Sequence, residues 1–295
     1  MKKSPKKVNK IGLIGFGYWG KILYKNLKKF NLDISIVDSN GVDLSFVETK
    51  DQEKIFKDYH NINVDCVIVS TPAVSHFDVC SFFLKKGINV FCEKPLSLTV
   101  SECKDLYKIA EENDSILFVD WVFLYNPAVN KIKEIIDNNI LGELLSVTMK
   151  RLNKGPIRKD VNARYDLMSH DISIILYLLN KIPENYKFFD FSKNSSSWKD
   201  DSCIGLIKFK NHLICTIECS WEHPVKDREC IFEFEKGVLF WDDTLQKIEL
   251  PNETFIPPKD ESPLELSLKS FLFLDNFNYH YQKELTLGIT KILES

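Results

Sequence analysis

Near the start of the chain an apolar run, Lys10-Ile11-Gly12-Leu13-Ile14, passes into Gly15-Phe16-Gly17-Tyr18-Trp19-Gly20. A strand that breaks into G-x-G-x-x-G and then into a helical stretch leaves few folds open. Gly15 permits the sharp turn, Gly17 lets main-chain N–H groups approach a pyrophosphate, and Gly20 lets the following helix pack on the strand. The helix start adds unpaired amides and the positive end of its dipole, both of which favour phosphate. A second apolar strand, Ile34-Ser35-Ile36-Val37, ends in Asp38. A carboxylate there can hydrogen-bond ribose hydroxyls and would repel a 2′-phosphate. Ser39 and Asn40 follow it and bring no cation for such a phosphate, so the pattern predicts NAD in preference to NADP. The competing reading is a βα turn that binds nothing, with Asp38 an ordinary polar residue at a strand end.

Up to about residue 120, apolar runs at Ile11–Ile14, Ile34–Val37, Val64–Val69, Asn89–Cys92 and Ile116–Val119 alternate with helical spacing over Ile22–Phe30, Val74–Lys86 and Thr99–Asn113. Such alternation predicts an α/β, doubly wound parallel sheet covered on both faces, a Rossmann arrangement. The rhythm then changes. A helix is expected from Pro127, a strand over Leu144–Arg151, a polar stretch from Leu152 to about Arg164, and a helix over Asp166–Leu179. From about Asn185 to Leu250, consecutive strand signals with turns at Asn211, around Pro224 and at Lys236-Gly237 suggest an open, mainly antiparallel sheet. Leu264–Phe277 and Glu284–Leu293 read as helices, and Ser195-Ser196-Ser197 as a loop. A chain of 295 residues exceeds what one core usually organises. The division expected is a dinucleotide-binding domain over 1–120 and an α+β substrate-binding and oligomerisation domain over 121–295.

A net charge of −3 gives no electrostatic argument for nucleic acid or an anionic membrane. Five lysines in the first ten residues read as a solvated tail. The apolar stretch behind them is short, is interrupted by glycines and meets Lys21, Lys25, Lys28 and Lys29 instead of a small-residue cleavage site, so export is not expected. No run reaches bilayer-spanning length, and the cytoplasm is the expected location. The eight cysteines, Cys66, Cys80, Cys92, Cys103, Cys203, Cys215, Cys219 and Cys230, include no CxxC pair. They read as reduced, mostly buried small hydrophobes, with no metal site expected.

Chemistry-bearing residues follow the strands. Ser70-Thr71-Pro72 ends the third apolar run, with His76 just beyond. The ends of parallel strands face the ligand crevice, so Thr71 can reach a cofactor there, though a plain turn explains the tripeptide equally well. Glu93-Lys94-Pro95 follows the fourth run; the proline fixes the turn and presents Lys94. A lysine there can hydrogen-bond a substrate hydroxyl, or be an ordinary solvated lysine. Asp166 and His170 stand four apart, so one helix face can carry both. A carboxylate one turn before an imidazole can orient it for general acid–base work, or merely cap the helix.

Taken together, G-F-G-Y-W-G, S-T-P-x-x-x-H, E-K-P-L-S-L-T, F-L-Y-N-P-A and D-L-M-S-H-D resemble the Gfo/Idh/MocA family of nicotinamide-dependent oxidoreductases, from Asn9 to the C-terminus. The resemblance implies Lys94 as catalytic lysine, His170 as catalytic histidine and Asp166 as the carboxylate before it. It also implies cofactor contacts from Gly15, Phe16, Gly17, Tyr18, Trp19, Gly20, Asp38, Ser70, Thr71, Pro72, His76, Glu93 and Lys94. The family pattern places an aspartate three residues after the histidine; here Ser173 stands there, while Asp171 directly follows His170. A narrower similarity, in Arg151-Leu152-Asn153-Lys154-Gly155, Asp160-Val161-Asn162 and Asp166–Ser173, points to the branch acting on UDP-linked amino sugars, such as UDP-N-acetylglucosamine 3-dehydrogenases. Usual members have Trp where Tyr165 stands and Ala-Pro where Met168-Ser169 stand. Within that reading Arg151, Arg158 and Arg164 suit a diphosphate, or are ordinary surface charge, and Tyr125, Asn126 and Asn153 meet the sugar. The implied partners are a sugar or nucleotide-sugar substrate and further copies of the chain, as a homodimer or homotetramer. Oxidation of a free polyol such as inositol, reduction of a small carbonyl, and a dinucleotide-binding regulator without turnover are the alternatives.

Overall fold

The computed structural model describes residues 8–192, 200–258, 260–274 and 277–295. Most of the lysine-rich tail and the Ser195–Ser197 loop lie outside the described residues. Two compact units form: residues up to Asp120 together with Leu264–Thr290 and Glu294, and Trp121–Pro263 with Lys291–Leu293 and Ser295.

In the first unit β1 (Lys10–Ile14), α1 (Tyr18–Leu27), β2 (Asp33–Val37), β3 (Ile55–Phe56), β4 (Cys66–Val69), α2 (His76–Leu84), β5 (Asn89–Cys92), α3 (Val100–Glu112) and β6 (Leu117–Val119) follow in order. The strands form one sheet in the order β3-β2-β1-β4-β5-β6, parallel throughout. The winding reverses between β1 and β4, and there the strand ends open a crevice for a ligand. Strands buried on both faces must be apolar at every position, which is why Cys66–Val69 and Leu117–Val119 are wholly buried. The first helix begins at Tyr18, four residues before the predicted Ile22, because the glycine turn leads directly into it. It ends in a 3₁₀ turn, Lys28–Phe30, closed by Asn31 at φ 51°.

The second unit contains α4 (Pro127–Asp137), β7 (Leu144–Lys154), α5 (Ser169–Leu179), β8 (Asn185–Phe191), β9 (Ser202–Lys208), β10 (Ile214–Ser220), β11 (Glu222–Asp227), β12 (Glu229–Phe234), β13 (Gly237–Asp242), β14 (Lys247–Glu249) and β15 (Thr254–Phe255). The strands make a nine-stranded sheet, β15-β14-β13-β12-β7-β10-β9-β8, with β11 also paired to β7. Every pairing is antiparallel except β7 with β10, so the sheet is mixed, mostly antiparallel. Side chains alternate: Cys203, Ile207, Cys215, Ile217, Cys219, Val147 and Met149 are buried, while Ile204, Leu206 and Ile214 on the other face are exposed. All eight cysteines are free and buried, and burial alone pushes the Cys215 thiol up to about 12.

Pro224 departs from its expected turn: it sits inside β11, whose pairing to β7 is interrupted between Glu222 and Asp227. A residue without an N–H fits a strand where the ladder is broken. The expected helix at 166 begins instead as a π-turn, Arg164–Met168, before α5.

The last two helices are α6 (Pro263–Phe273), which starts and ends earlier than the predicted Leu264–Phe277, and α7 (Tyr279–Leu293), which starts earlier than the predicted Glu284 and ends with it at Leu293. Most of both belongs with the first unit, so the second domain is not the continuous 121–295. Phe271 lies edge-on to Phe91 and Phe118, with ring centroids 5.6 and 5.7 Å away. Gln282 accepts from the Val119 N–H at 3.0 Å and donates to its carbonyl at 3.2 Å. A side-chain amide thereby satisfies an edge strand that would otherwise bury unpaired backbone.

Candidate active site

The glycine loop is shaped by contacts that only glycine allows. Gly15 has φ +94°, and a Cβ there would meet the Ser70 carbonyl at 2.8 Å; a Cβ on Gly20 would collide with the Gly15 carbonyl oxygen. Around Gly17, by contrast, an added Cβ would meet no atom within 4 Å. Gly17 is also the N-cap of α1 and receives no side-chain cap. A bare loop, open space and a helix start are what a pyrophosphate needs, so the residues fit a dinucleotide. Asp38 at the end of β2 accepts from the Phe16 N–H at 2.7 Å and the Asn40 N–H at 2.9 Å. Its carboxylate therefore braces the loop. Ser70 donates to the Gly15 carbonyl at 2.9 Å and ties β4 to the same loop. Phe16 is buried against Tyr24, whereas Tyr18 is 80% exposed and Trp19 half-exposed beside it.

The turns after β4 and β5 are bound to each other. His76 is buried, with Nδ1 2.8 Å from the Pro95 carbonyl and Nε2 2.9 Å from the Thr71 carbonyl. Both ring nitrogens are thus engaged by the chain, and the ring ties the two turns together. Thr71 accepts from Ser75 at 2.8 Å, and Pro72 caps the short turn Ala73–Ser75. The Lys94-Pro95 bond is cis. Glu93 and Lys94 are buried, Lys94 to 5% exposure, so Lys94 is no solvated surface lysine. On the neighbouring strand, directly after β6, stands Asp120, 3% exposed. Burial raises its pKa to about 7, against the pull of Ser267 and of the Lys94 charge. Periodicity gave no sign of Asp120; the available signal is a carboxylate ending an otherwise apolar strand.

In the second unit several expected substrate contacts have other partners. Arg151 on β7 is 2% exposed and clasps Asp171 of α5, Nε to Oδ2 at 3.0 Å and Nη2 to Oδ1 at 2.7 Å. Burial raises the Asp171 pKa, and Arg151 opposes that rise. The Arg151 guanidinium also lies 4.6 Å from the Phe123 ring centroid, and Phe123 meets the His170 ring edge-to-face at 5.2 Å. Asn126 caps α4 through the Ala128 N–H at 2.8 Å, next to Tyr125, which closes the 3₁₀ turn Val122–Tyr125. Asn153 donates to the Gly155 carbonyl at 2.8 Å. Arg158 forks onto Asp160 and reaches Asp166 at 3.2 Å. The other Asp166 oxygen accepts from Trp221 Nε1 at 3.1 Å. Arg164 donates to the Ser295 carbonyl at 2.8 Å and pairs with Asp190 at 3.4 Å. The three arginines thus carry internal partners, and Asn126 caps a helix. Phe123, which opens the F-L-Y-N-P-A motif, and Trp221 stand beside His170 and Asp166, and the sequence assigns neither a role there.

The doubly wound sheet, the bare glycine loop and the carboxylate at the second strand define an NAD-binding oxidoreductase. Residues 9–121 match the model described as oxidoreductase family, NAD-binding Rossmann fold, and residues 129–240 match the GFO/IDH/MocA C-terminal domain. The chain belongs to the Gfo/Idh/MocA family, and NAD is its cofactor. Myo-inositol 2-dehydrogenase of Thermotoga maritima is 26% identical, over 96% of this chain and 88% of its own length. Inositol 2-dehydrogenase of Salmonella typhimurium is also 26% identical, over 63% of this chain and 59% of its own. Among solved structures, UDP-N-acetylglucosamine 3-dehydrogenase GnnA from Acidithiobacillus ferrooxidans is similar at TM-score 0.84 and 18% identity, over 96% of this chain and 95% of that one. GenD2 from gentamicin A biosynthesis, in complex with NAD, aligns at TM-score 0.81 and 18% identity, over 100% and 95%. At such identities the structures speak for the fold. The reaction class that the family and its inositol dehydrogenases define is dehydrogenation or reduction at CH–OH groups.

Proposed function

We propose that His170 and Lys94 act on the oxygen of the reacting carbon. His170 takes the proton of a ring hydroxyl in oxidation and returns it in reduction. Lys94 donates a hydrogen bond to the same oxygen and stabilises its developing negative charge. NAD, when bound, supplies the hydride acceptor or donor. The observation that carries this reading is the placement of Lys94: a buried lysine just beyond β5, on the sheet edge that also carries the glycine loop. Asp166 steadies Arg158 and Trp221, and through the π-turn it shares with the start of α5 it contributes to the setting of His170.

The substrate in this reading is a six-membered, polyhydroxylated ring. A nucleotide-linked amino sugar such as UDP-N-acetylglucosamine is supported by the sequence similarity at Arg151–Gly155 and Asp166–Ser173. A free polyol is favoured by one specific observation: Arg151, Arg158 and Arg164 already hold internal acceptors. The names of the inositol dehydrogenase relatives agree with it. The buried, unpaired thiols suit the cytoplasm.

Following NADH absorbance over UDP-sugars and free inositols separates the two classes. Lys94→Ala and His170→Ala should each lower turnover by about two to four powers of ten while NAD binding, read by calorimetry, persists. Wild-type turnover in both variants would remove the assignment. Tight NAD binding without reduction on the whole panel would favour a dinucleotide-binding regulator.

A further inference from the structure

We propose that Arg228 and Asp243 form the subsite that reads a pair of neighbouring hydroxyls on the substrate ring. The inference rests on the polyhydroxylated substrate proposed above and names residues that recognise it. Cys230 stands opposite Met149 and Asp227 opposite Leu152. Arg228, where β11 gives way to β12, therefore falls opposite Arg151 of β7. Asp243 lies just beyond β13, and its N–H donates to the Arg228 carbonyl at 3.1 Å. Both guanidinium groups reach the same Asp243 oxygen, Oδ2, each at 3.9 Å. Arg151 in turn clasps Asp171, the residue directly after His170. The subsite is thus tied through Arg151 to the first turn of α5, which carries His170.

The fold consumes Arg151 but not Arg228. Arg151 is buried on two short bonds to Asp171, whereas the Arg228 side chain keeps 29% exposure. A guanidinium is rich in N–H donors. Among the described residues the Arg228 side chain makes one hydrogen bond, a long one at 3.4 Å to Asn153, and its buried Nε meets no acceptor. Burial and the Arg151 charge lower its pKa, against the pull of Asp243 and Asp171. Asp243 Oδ1 accepts from Gln246 at 2.9 Å, while Oδ2 faces only the two guanidinium groups. At 3.9 Å those contacts are too long to be hydrogen bonds. A donor and an acceptor therefore stand side by side with capacity left over. A hydroxyl both donates and accepts, and two on adjacent carbons fit such a pair. A diphosphate does not. Arg151 and Arg228 are offset by Asp171 and Asp243, and Arg158 by Asp160 and Asp166, so no excess positive charge remains for it.

Calorimetry on the NAD-loaded full chain tests this with myo-inositol, UDP-N-acetylglucosamine and inositols that each lack one hydroxyl. Arg228→Met and Asp243→Asn should each weaken myo-inositol binding about ten- to a hundredfold, with NAD affinity within a factor of about two of wild type. Arg228→Met should fold, since it removes a like charge from beside Arg151. In the wild type, loss of either of two adjacent hydroxyls should cost about tenfold; in Arg228→Met the same losses should cost almost nothing further. Unchanged myo-inositol affinity in Arg228→Met overturns the subsite. So does an equal weakening of the whole series, which is what a purely structural arginine would give. A larger loss for UDP-N-acetylglucosamine than for myo-inositol would assign Arg228 to the diphosphate and overturn it too. Absence of binding by every inositol removes both the subsite and the free-polyol substrate. If His170→Ala turns over at the wild-type rate while these affinities shift as expected, the assignment of His170 fails and the subsite stands.

Discussion

At the scale of single residues, the site combines groups that are easy to read with groups that are not. Gly15, Gly20 and Asp38 are legible because backbone constraints act on residue type: a positive φ, a close carbonyl and a strand end that accepts from the glycine loop. Asp120 is illegible because its hydrogen-bond partner, Ser267, lies 147 positions away. Its burial gives a prediction for stability against pH. In the unfolded chain an aspartate loses its proton near pH ~3.9, whereas in the fold Asp120 keeps it to about 7. Between those values the native state binds the extra proton. The contribution of Asp120 is therefore full below pH ~4 and is lost as pH rises through about 7. Relative to Asp120→Asn, which cannot ionise, the wild type should lose thermal stability between about pH 4 and 7. Melting curves of the two proteins across that range decide it; parallel profiles would exclude a buried, titrating Asp120.

At the scale of elements, the strands β1, β2, β4, β5 and β6 follow the apolar runs within one or two residues, since a strand buried on both faces has no polar alternative. The second sheet was harder. Pro224 reads as a turn by residue type but falls in β11, where a broken ladder excuses its missing N–H. Arg151 reads as a ligand group, yet alternation along β7 turns it to the buried side with Val147 and Met149, where Asp171 of α5 meets it. Sequence distance hides that pairing, although Asp171 stands directly after His170, out of the family's place for an aspartate. The clasp joins the sheet to the helix that carries His170, so it makes a stability prediction distinct from any effect on substrate. Arg151→Ala leaves Asp171 buried and uncompensated and should cost about 3–5 kcal/mol in urea unfolding. The double variant Arg151→Met with Asp171→Leu should recover most of that loss, because two apolar groups need no compensation. A single variant as stable as wild type would mean that the buried pair contributes nothing.

At the scale of the whole molecule, the division of the chain is discontinuous. Composition and rhythm place a boundary near residue 120, and the first unit does end at Asp120, but α6 and most of α7 return to complete it. Helical periodicity reports that a helix exists and not which sheet it will cover, so the return was not legible. The second sheet raises a larger question of covering. Its face opposite the buried cysteines exposes Phe189, Ile204, Leu206, Ile214 and Val238. These residues neighbour one another across the strands: Phe189 pairs with Ile204, and Leu206 with Thr216, while Ile214 pairs with Ser146, which pairs in turn with Glu233, the partner of Val238. Exposed apolar residues interspersed in this way with Thr216, Ser146 and Glu233 suit a self-complementary contact between copies. Light scattering should therefore find a dimer or tetramer. Leu206→Glu combined with Ile204→Lys places charges in the middle of the face and should shift the protein to monomer. NAD binding should survive, because the glycine loop belongs to the other unit. A monomeric wild type, or a variant that assembles as the wild type does, would show that the apolar face is left to water.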